Sequence, residues 1–533
     1  MQNSSLLLPS ALVPRISSVS GIPQLWQNLI FFLSILFIVG YLGLEYIERK
    51  AKIIDNWCFS DEQVKEYGPF WITVPSAENS GLPTDVNGIM FEDEPDVIYL
   101  VLPKTVNTKK IVYYIRDGYE SNYEARRVAN FEAGDVEVAG KKLKLVDTSV
   151  PIMFLVTDEE NMPFSEFRDT YDREAICSGK VYYEDIVNSE NMYLKPRGNI
   201  TWAGMHKKPY TLVLENKENL CGNATSKKWN LLADAYDKSC LKNYVFNKLA
   251  HELNIDYQPE AKHICLFINN NFEGVYLLTE KIEVDDKSVN LDKDDWLFIW
   301  GGSHPEQIIP YESECWFGDT DEIDYPYIEL LFPKEDSVEG LKEKQKYIQK
   351  YIDAIEDETS KDYLKYLDIE SFAKFYWIQE ASMNTDACYR SIYSVYKDST
   401  DKLYYAPIWD MDFTLRTQYE KPGKGEETVQ FNDVIGWKTR EMAYYRELFE
   451  HPEFEETIKE AYYEGGVREK LWNTVNTFYE EKEYLGELAE LDFRVWKNEV
   501  PETALSDNYY DHTNIVINDY ITRLKWIDEQ MKK

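Results

Sequence analysis

The feature that most constrains this chain is an uncharged apolar segment near its N-terminus. No charged residue occurs between Arg15 and Glu45, and residues 29–44 are almost wholly apolar. With its apolar flanks, the segment reaches the roughly 20 residues that a membrane-spanning helix needs. A cleaved signal peptide is the alternative, but a small-residue cleavage site would normally follow, and here Glu45 and basic residues follow instead. We therefore predict a transmembrane helix over residues 25–48, after a tail at 1–24.

The charges that flank this segment bear on its orientation. Arg49, Lys50 and Lys52 follow the apolar residues, whereas only Arg15 precedes them. The positive-inside bias places the large C-terminal part in the cytoplasm, yet large domains translocate regardless of flanking charge. The sequence therefore predicts a single-pass membrane protein and leaves the side of the large domain open.

Composition excludes several classes of protein. A hydrophobic content of 44% and an aromatic content of 15% are typical of a folded chain. The formal net charge of −37 argues against nucleic acid as a partner, because phosphate backbones are bound by Lys and Arg. Seven cysteines without a C-x-x-C pair give no zinc ribbon, and we interpret them as small buried side chains.

The order of patterns along the chain predicts an α+β protein. Residues 49–84 have the composition of a linker, and short β-branched runs over 85–148 indicate a small β-sandwich-like module. Residues 149–533 form the main domain, where strand patterns give way to helical patterns from about residue 338. A hairpin pattern at 391–409 interrupts the helices. This order is typical of a two-lobed enzyme with its site between the lobes.

A basic stretch lies in this acidic chain. Residues 191–230 contain seven Lys or Arg and two Glu, 7 − 2 = +5, and include Arg197, Lys208 and Lys228. Several cations together with exposed backbone N–H groups are what polyphosphate binding needs. The alternative is a surface strand whose cations form ion pairs with neighbouring acids.

Acidic residues follow the predicted hairpin. Asp410 and Asp412 lie two apart in an apolar setting, and Asp386 ends an earlier helical run. Paired carboxylates of this kind suit Mg²⁺, which takes one or two carboxylates plus phosphate oxygens and water. Asp386 is then a separate carboxylate, available to orient or deprotonate a hydroxyl. A solvated loop is the alternative.

Five ordered blocks of sequence resemble the spore-coat CotH kinase family. They are Arg197-Gly-Asn-Ile-Thr-Trp202, Lys207-Lys-Pro-Tyr-Thr-Leu212, Lys227-Lys-Trp-Asn-Leu-Leu-Ala-Asp234, Gly274-Val-Tyr-Leu-Leu-Thr-Glu280 and Pro407-Ile-Trp-Asp-Met-Asp412. They cover roughly residues 150–420. The resemblance implies an atypical protein kinase fold that transfers phosphate from ATP to Ser or Thr of secreted or coat proteins, with Mg²⁺ or Mn²⁺.

The resemblance also implies roles for individual residues. Asp386 corresponds to the catalytic-loop Asp, and Asp410, with Asp412, to the metal ligands. Arg197, Lys208 and Lys228 fall in blocks expected to face the nucleotide phosphates. Glu280 is a candidate partner for one of the lysines, on the pattern of the kinase Lys–Glu pair.

One departure from the kinase pattern is at Ser391. Protein kinases carry a metal-binding Asn five residues after the catalytic Asp, and Ser391 occupies that position here. A serine hydroxyl also ligates Mg²⁺, with less reach. A weak or inactive pseudokinase that acts as a membrane-tethered binding protein is therefore one alternative. A metal-dependent glycosyltransferase that uses Asp410 and Asp412 is another.

Overall fold

The computed structural model describes most of the chain beyond the N-terminal segment. The described residues are 71–73, 86–103, 111–116, 123–131, 136–138, 141–158, 160–183, 187–300, 307–313, 326–335, 337–386, 391–415, 419–420, 428–429, 434–499 and 503–533. The predicted transmembrane helix at 25–48 lies outside them. Among the helices that are described, none combines the length and the apolar character needed to cross a membrane.

The chain divides into two compact units. The smaller comprises Met1–Trp71 and Ile115–Ala125, and the larger comprises Ile72–Tyr114 and Arg126–Lys533. The barrel, the helices and the candidate site all belong to the larger unit.

A closed barrel of seven strands forms the first half of the main domain. In spatial order the strands are Val187–Pro196, Tyr210–Cys221, Ala224–Leu232, Asn271–Glu280, Ala261–Ile268, Ile152–Thr157 and Cys177–Tyr183. Neighbours are antiparallel except for Ala261–Ile268 and Ile152–Thr157, which are parallel. Because side chains alternate along a strand, residues such as Tyr210, Leu212 and Trp229 fill the interior while their neighbours face outward. Closure leaves no free edge.

A five-stranded sheet follows the barrel. In spatial order its strands are Ile308–Pro310, Tyr327–Phe332, Trp296–Trp300, Ile392–Lys397 and Lys402–Tyr405. The last two pair antiparallel, which confirms the hairpin predicted at 391–409. The helix Ile369–Ser382 precedes this hairpin, and its N-terminus is capped because the Asp368 side chain accepts a hydrogen bond from Ser371 N.

Helices make up most of the rest of the main domain. Their bounds are Phe164–Asp169, Ile200–Gly204, Lys242–Glu252, Val338–Glu356, Tyr363–Tyr366, Ile369–Ser382, Ala443–Leu448, Pro452–Tyr463, Val467–Trp496 and Tyr509–Gln530, with a 3₁₀ turn at Thr439–Glu441. The helical C-terminal part predicted from the sequence is therefore confirmed.

The remaining strands lie mainly in the N-terminal part. Ile89–Phe91, Glu94–Val101, Lys141–Val146 and Val136–Val138 form a four-stranded sheet in that order, and further strands are Trp71–Thr73, Ile111–Arg116, Tyr123–Ala129, Tyr419–Glu420 and Thr428–Val429. Arg494 of the long helix binds Glu94 at 3.0 Å and lies 3.8 Å from the Phe91 ring centroid, so the four-stranded sheet packs on this helix. The β-sandwich arrangement and the domain boundaries stay predictions.

The architecture is thus a mixed α+β fold, as the sequence predicts.

Candidate functional site

The segment that carries Asp410 has an unusual backbone. Asp410 has a φ of 59° and Ser391 has a φ of 57°. Both values lie in the left-handed region, which residues other than glycine rarely adopt. The Ser391 hydroxyl donates a hydrogen bond of 2.8 Å to Asp410 Oδ2. Backbone strain of this kind persists where surrounding contacts hold it, and it concentrates at functional sites.

Asn243 connects three parts of the chain at this segment. It lies in the first turn of the helix Lys242–Glu252, whose N-terminus is held by Asp237, because Asp237 Oδ2 accepts hydrogen bonds from the backbone N–H groups of residues 241 and 242. The Asn243 amide donates to Asp234 Oδ1 at 2.7 Å and also to Asp412 Oδ1. Its Oδ1 accepts from Met411 N at 2.8 Å. One side chain therefore joins the barrel, the helix and the Asp410 segment.

The carboxylates that accept hydrogen bonds from Asn243, those of Asp234 and Asp412, repel each other. Burial, followed by the charges of Asp234 and Asp410, raises the pKa of Asp412 well above its ordinary value. Burial and the nearby Asp237 raise the pKa of Asp234 to about 6. Acids at such short range do not all ionise in a low-dielectric setting unless a cation is present. The cluster of Asp234, Asp410 and Asp412 is therefore a place where a bound cation would lower the free energy.

The donor set at this cluster fits Mg²⁺. In the part of the chain that the structure describes, no group of three or more His, Cys, Asp or Glu is arranged to hold a metal ion by itself. Mg²⁺ does not require such a cage, since one or two carboxylates plus phosphate oxygens and water suffice. Asp234 Oδ2 is buried and has no hydrogen-bond partner among the described residues. An unpaired buried carboxylate oxygen is costly, and a cation would compensate it.

Arg197 brings positive charge to the same place. Its Nε donates to Asn230 Oδ1 at 2.8 Å, and its guanidinium carbon lies 4.9 Å from the ring centroid of Trp409, the residue before Asp410. Burial lowers the pKa of Arg197, and the neighbouring Tyr393, Asp410 and Asp412 oppose this effect. Although Arg197 and Asp410 are far apart in sequence, they meet at one site.

The segment that contains Asp386 is hydrogen-bonded to the Asp410 segment. Asp386 N donates to Asn384 Oδ1 at 3.0 Å, which forms a tight local turn. Both Thr385 N and Thr385 Oγ1 donate to the Phe413 carbonyl at 3.3 Å. The segment before Asp386 is therefore hydrogen-bonded to the residue that follows Asp412.

Most other cations of the basic stretch form ion pairs elsewhere. The pairs are Lys195–Glu174, Lys207–Asp492, Lys217–Asp285 and Lys228–Glu283. For Lys195, Lys217 and Lys228, the alternative of a surface strand whose cations form ion pairs describes the structure, whereas the Lys207–Asp492 pair is buried. Lys228 is thus engaged with Glu283 at 2.7 Å at the surface.

Lys208 is buried against Trp202. It is 4% exposed, its Nζ donates to the Trp202 carbonyl, and it lies 5.3 Å from the Trp202 ring centroid. Trp202 belongs to the hydrophobic core of the barrel, so Lys208 is held against that core.

Glu280 has no lysine partner among the described residues. It pairs across the strands with Trp229, so Lys228, one residue away, points to the opposite face. Glu280 Oε2 is buried and makes no hydrogen bond within the described part of the chain. Burial, ahead of the nearby Glu260 and Asp285 charges, raises the pKa of Glu280 to about 7.

We expect stability to depend on the ionisation of Glu280. Because its folded-state pKa of about 7 exceeds the ordinary 4.5, its contribution is fully present below pH 4.5 and is lost as pH rises through 7. Glu280→Gln is neutral at every pH. The variant should therefore gain about 2 kcal/mol in unfolding free energy over the wild type between pH 5 and pH 8, after a discount for solvent screening.

Urea unfolding at pH 5 and pH 8 measures this difference. Glu343→Gln, at an exposed carboxylate of the helix Val338–Glu356, is the control and should show no such change. If the difference in unfolding free energy between wild type and Glu280→Gln were the same at both pH values, Glu280 would be ionised in the folded protein at pH 5 as well as at pH 8.

Several residues of the site were not singled out from the sequence. Asn230, Asp234 and Asn243 lie in or next to the block that begins at Lys227, and that block was the available signal. Lys281 is the fourth. Burial lowers the pKa of Lys281, and the charges of Lys228 and Arg197 act in the same direction, while the Glu283 carboxylate opposes them. Lys281 is thus a partly buried cation whose charge interacts with that of Arg197.

A small cleft opens beside Asp410. The outer face of the barrel contributes Leu277 and Thr279, the helix Lys242–Glu252 contributes Asn247, and the Asp410 segment contributes Ile408 and Trp409. Asp410 and Asn243 therefore lie at the wall of a concave surface.

A family model described as CotH kinase protein matches residues 194–527, which is more than half of the chain and includes every residue of the candidate site. No curated protein matches the chain.

Proposed function

Because the chain belongs to the CotH kinase protein family, we propose that it is a protein kinase that transfers the γ-phosphate of ATP to Ser or Thr of coat or cell-surface proteins. The barrel and the helical part would act as two lobes of an atypical kinase fold, with the cleft beside Asp410 between them. The apolar segment at 25–48 would anchor the enzyme in a membrane.

The observation that carries the proposal is the meeting of Arg197 with the Asp410 cluster. Phosphoryl transfer requires that charge on the transferring group be neutralised and that two oxygens be held in line, with little covalent chemistry by the protein. The guanidinium of Arg197 lies against Trp409, adjacent to Asp410. This contact supports the proposal, because it brings a cation next to the end of a barrel strand close to a carboxylate from the second half of the domain.

The residues that would hold a metal are Asp410 and Asp412, with Asp234 and Ser391 beside them. A bound Mg²⁺ or Mn²⁺ would neutralise charge on the phosphates. Ser391, which stands where kinases carry Asn, donates its hydroxyl hydrogen to Asp410 Oδ2 and so orients that carboxylate. Its role would then be to hold Asp410 in place, with direct ligation of the metal as a further possible use of the same oxygen.

The other residues would bind and orient the reactants. Arg197 and Lys281 would bind the nucleotide phosphates, since Arg197 lies against Trp409, next to Asp410, and the charge of Lys281 interacts with that of Arg197. Asp386 would accept a hydrogen bond from the acceptor hydroxyl and orient its oxygen for attack. Lys281 is a better candidate for the phosphates than Lys208 and Lys228, because Lys208 is buried against Trp202 and Lys228 pairs with Glu283.

The net charge of the chain bears on the acceptor. At −37 the protein would attract a basic substrate by long-range electrostatics. Equal rates on acidic and on Lys/Arg-rich Ser peptides would remove the basis for this part of the proposal.

The test is transfer of labelled phosphate by the purified full-length protein with ATP and Mg²⁺ or Mn²⁺. Arg197→Met keeps much of the side-chain volume and removes the charge, and we expect it to lower kcat/KM for ATP by about 10²-fold, the usual effect of removing one group that stabilises transition-state charge. Lys227→Met is the matched control, since Lys227 is an exposed cation of the same basic stretch. Its activity should stay near that of the wild type.

Thermal-shift measurements distinguish the alternatives. Stabilisation by ATP with transfer supports the kinase, whereas stabilisation by a UDP-sugar without transfer from ATP would indicate a glycosyltransferase. Binding of ATP without any transfer would indicate a pseudokinase.

A further inference from the structure

Gln258 makes a paired contact with the backbone just before Asp410. It lies in the connection between the helix Lys242–Glu252 and the barrel strand Ala261–Ile268. Its Oε1 accepts from Ile408 N at 2.9 Å, and its Nε2 donates to the Ile408 carbonyl at 3.2 Å. One amide side chain therefore satisfies both polar backbone groups of the residue two positions before Asp410.

This contact has a counterpart on the other side of Asp410. Asn243 accepts from Met411 N, the residue directly after Asp410. Both amides come from the first half of the domain, while the backbone they hold belongs to the second half. The strained left-handed backbone of Asp410 is thus fixed from both sides by hydrogen bonds across the site.

We infer that Gln258 is a positioning residue for the metal-binding carboxylate Asp410. The inference rests on the proposed function of Asp410 and extends it to a residue outside the five blocks that resemble the family. Without Gln258, Ile408 loses both partners, and the left-handed conformation at Asp410 has less to hold it. The carboxylate then spends part of its time turned away from the metal. Groups that orient a metal ligand commonly change metal affinity by about 10–100-fold when removed.

The chain offers a matched control. Gln349 forms the same paired contact with the backbone of Glu312, at 2.8 Å to the N–H and 2.9 Å to the carbonyl, in a region that shares no residue with the candidate site. Gln349→Ala removes the equivalent pair of hydrogen bonds, together with one from Gln349 Nε2 to Asp353 Oδ1, without touching the Asp410 segment.

The experiment measures Mn²⁺ binding to the full-length protein by electron paramagnetic resonance, in the presence of a non-hydrolysable ATP analogue. We expect Gln258→Ala to bind Mn²⁺ about 10–100-fold more weakly than the wild type, and Gln349→Ala to bind it as the wild type does. Gln258→Met, which keeps the side-chain length, should behave like Gln258→Ala. In the kinase assay, saturating Mg²⁺ should restore most of the kcat of Gln258→Ala, which a general structural defect would not allow.

The outcomes separate this inference from the proposed function. Wild-type affinity for Mn²⁺ in either Gln258 variant would overturn the positioning role while leaving the proposed function intact. Absence of Mn²⁺ binding by the wild type would overturn the proposed metal site itself. An equal loss of affinity in Gln349→Ala would show that the effect is general and would also overturn the inference.

Discussion

Asp410→Asn is expected to lower the rate of phosphoryl transfer by about 10³-fold or more while leaving the fold intact. The substitution keeps the shape of the side chain, and the amide oxygen can still accept the 2.8 Å hydrogen bond that the Ser391 hydroxyl donates to Asp410 Oδ2. It removes one negative charge from a site where Asp234 and Asp412 already repel each other. The loss should therefore appear in metal-dependent catalysis, because an amide oxygen is a much weaker ligand for Mg²⁺ than a carboxylate.

Initial rates with labelled ATP over a range of Mg²⁺ concentrations measure this effect. Asp398→Asn is the control, since Asp398 is an exposed carboxylate directly after the strand Ile392–Lys397. Its rate should match that of the wild type. Transfer by Asp410→Asn at the wild-type rate would mean that Asp410 holds no metal, and the proposed mechanism would be wrong.

Arg523→Met is expected to destabilise the protein by about 3–5 kcal/mol, because it leaves the Glu380 carboxylate buried and unpaired. Both side chains of this ion pair are 0% exposed. The carboxylate also accepts from Lys438 N at 2.8 Å and from Arg440 N at 2.9 Å, while Arg523 donates to the Val434 carbonyl at 3.3 Å. The pair therefore attaches the backbone of residues 434–440 to the helix Ile369–Ser382, which leads into Asp386.

Urea unfolding measures the cost. Arg468→Met is the matched control, since Arg468 binds Asp528 at an exposed position and should contribute about 1 kcal/mol or less. The double variant Glu380→Gln with Arg523→Met removes both charges and should recover part of the loss, because burying a neutral amide costs less than burying a lone charge. A loss in Arg523→Met no larger than in Arg468→Met would contradict this account.

The types and order of the structural elements followed from local patterns. The hairpin at Ile392–Lys397 and Lys402–Tyr405 and the helical C-terminal part agree with alternation and helical spacing in the sequence. These patterns depend on near neighbours in the chain, so they are visible without tertiary structure. Closure of seven strands into a barrel was not visible, because it depends on pairing between strands distant in sequence, such as Ala261–Ile268 with Ile152–Thr157.

The candidate site was also predictable from the sequence only in part. The blocks of sequence contained Arg197, Asp410 and Asp412, and the end of a helical run before the hairpin contained Asp386; together these residues would supply the chemistry of the proposed site. Counting charges in the basic stretch did not show which cations are available. Lys207 lies 285 residues from Asp492 in sequence and binds it in the fold, and Lys208 is buried against Trp202.

By itself, the sequence determined which chemical groups this protein possesses and the local geometry of the elements that carry them, since residue type and periodicity are properties of short stretches. Only the tertiary structure decided which of those groups meet. It placed Arg197 beside Asp410, paired Lys228 with Glu283, and left Glu280 without a lysine partner among the described residues. The physical reason is that electrostatic and hydrogen-bond partners are chosen by distance in space, and the direction of each side chain depends on strand pairing and helix packing across hundreds of residues.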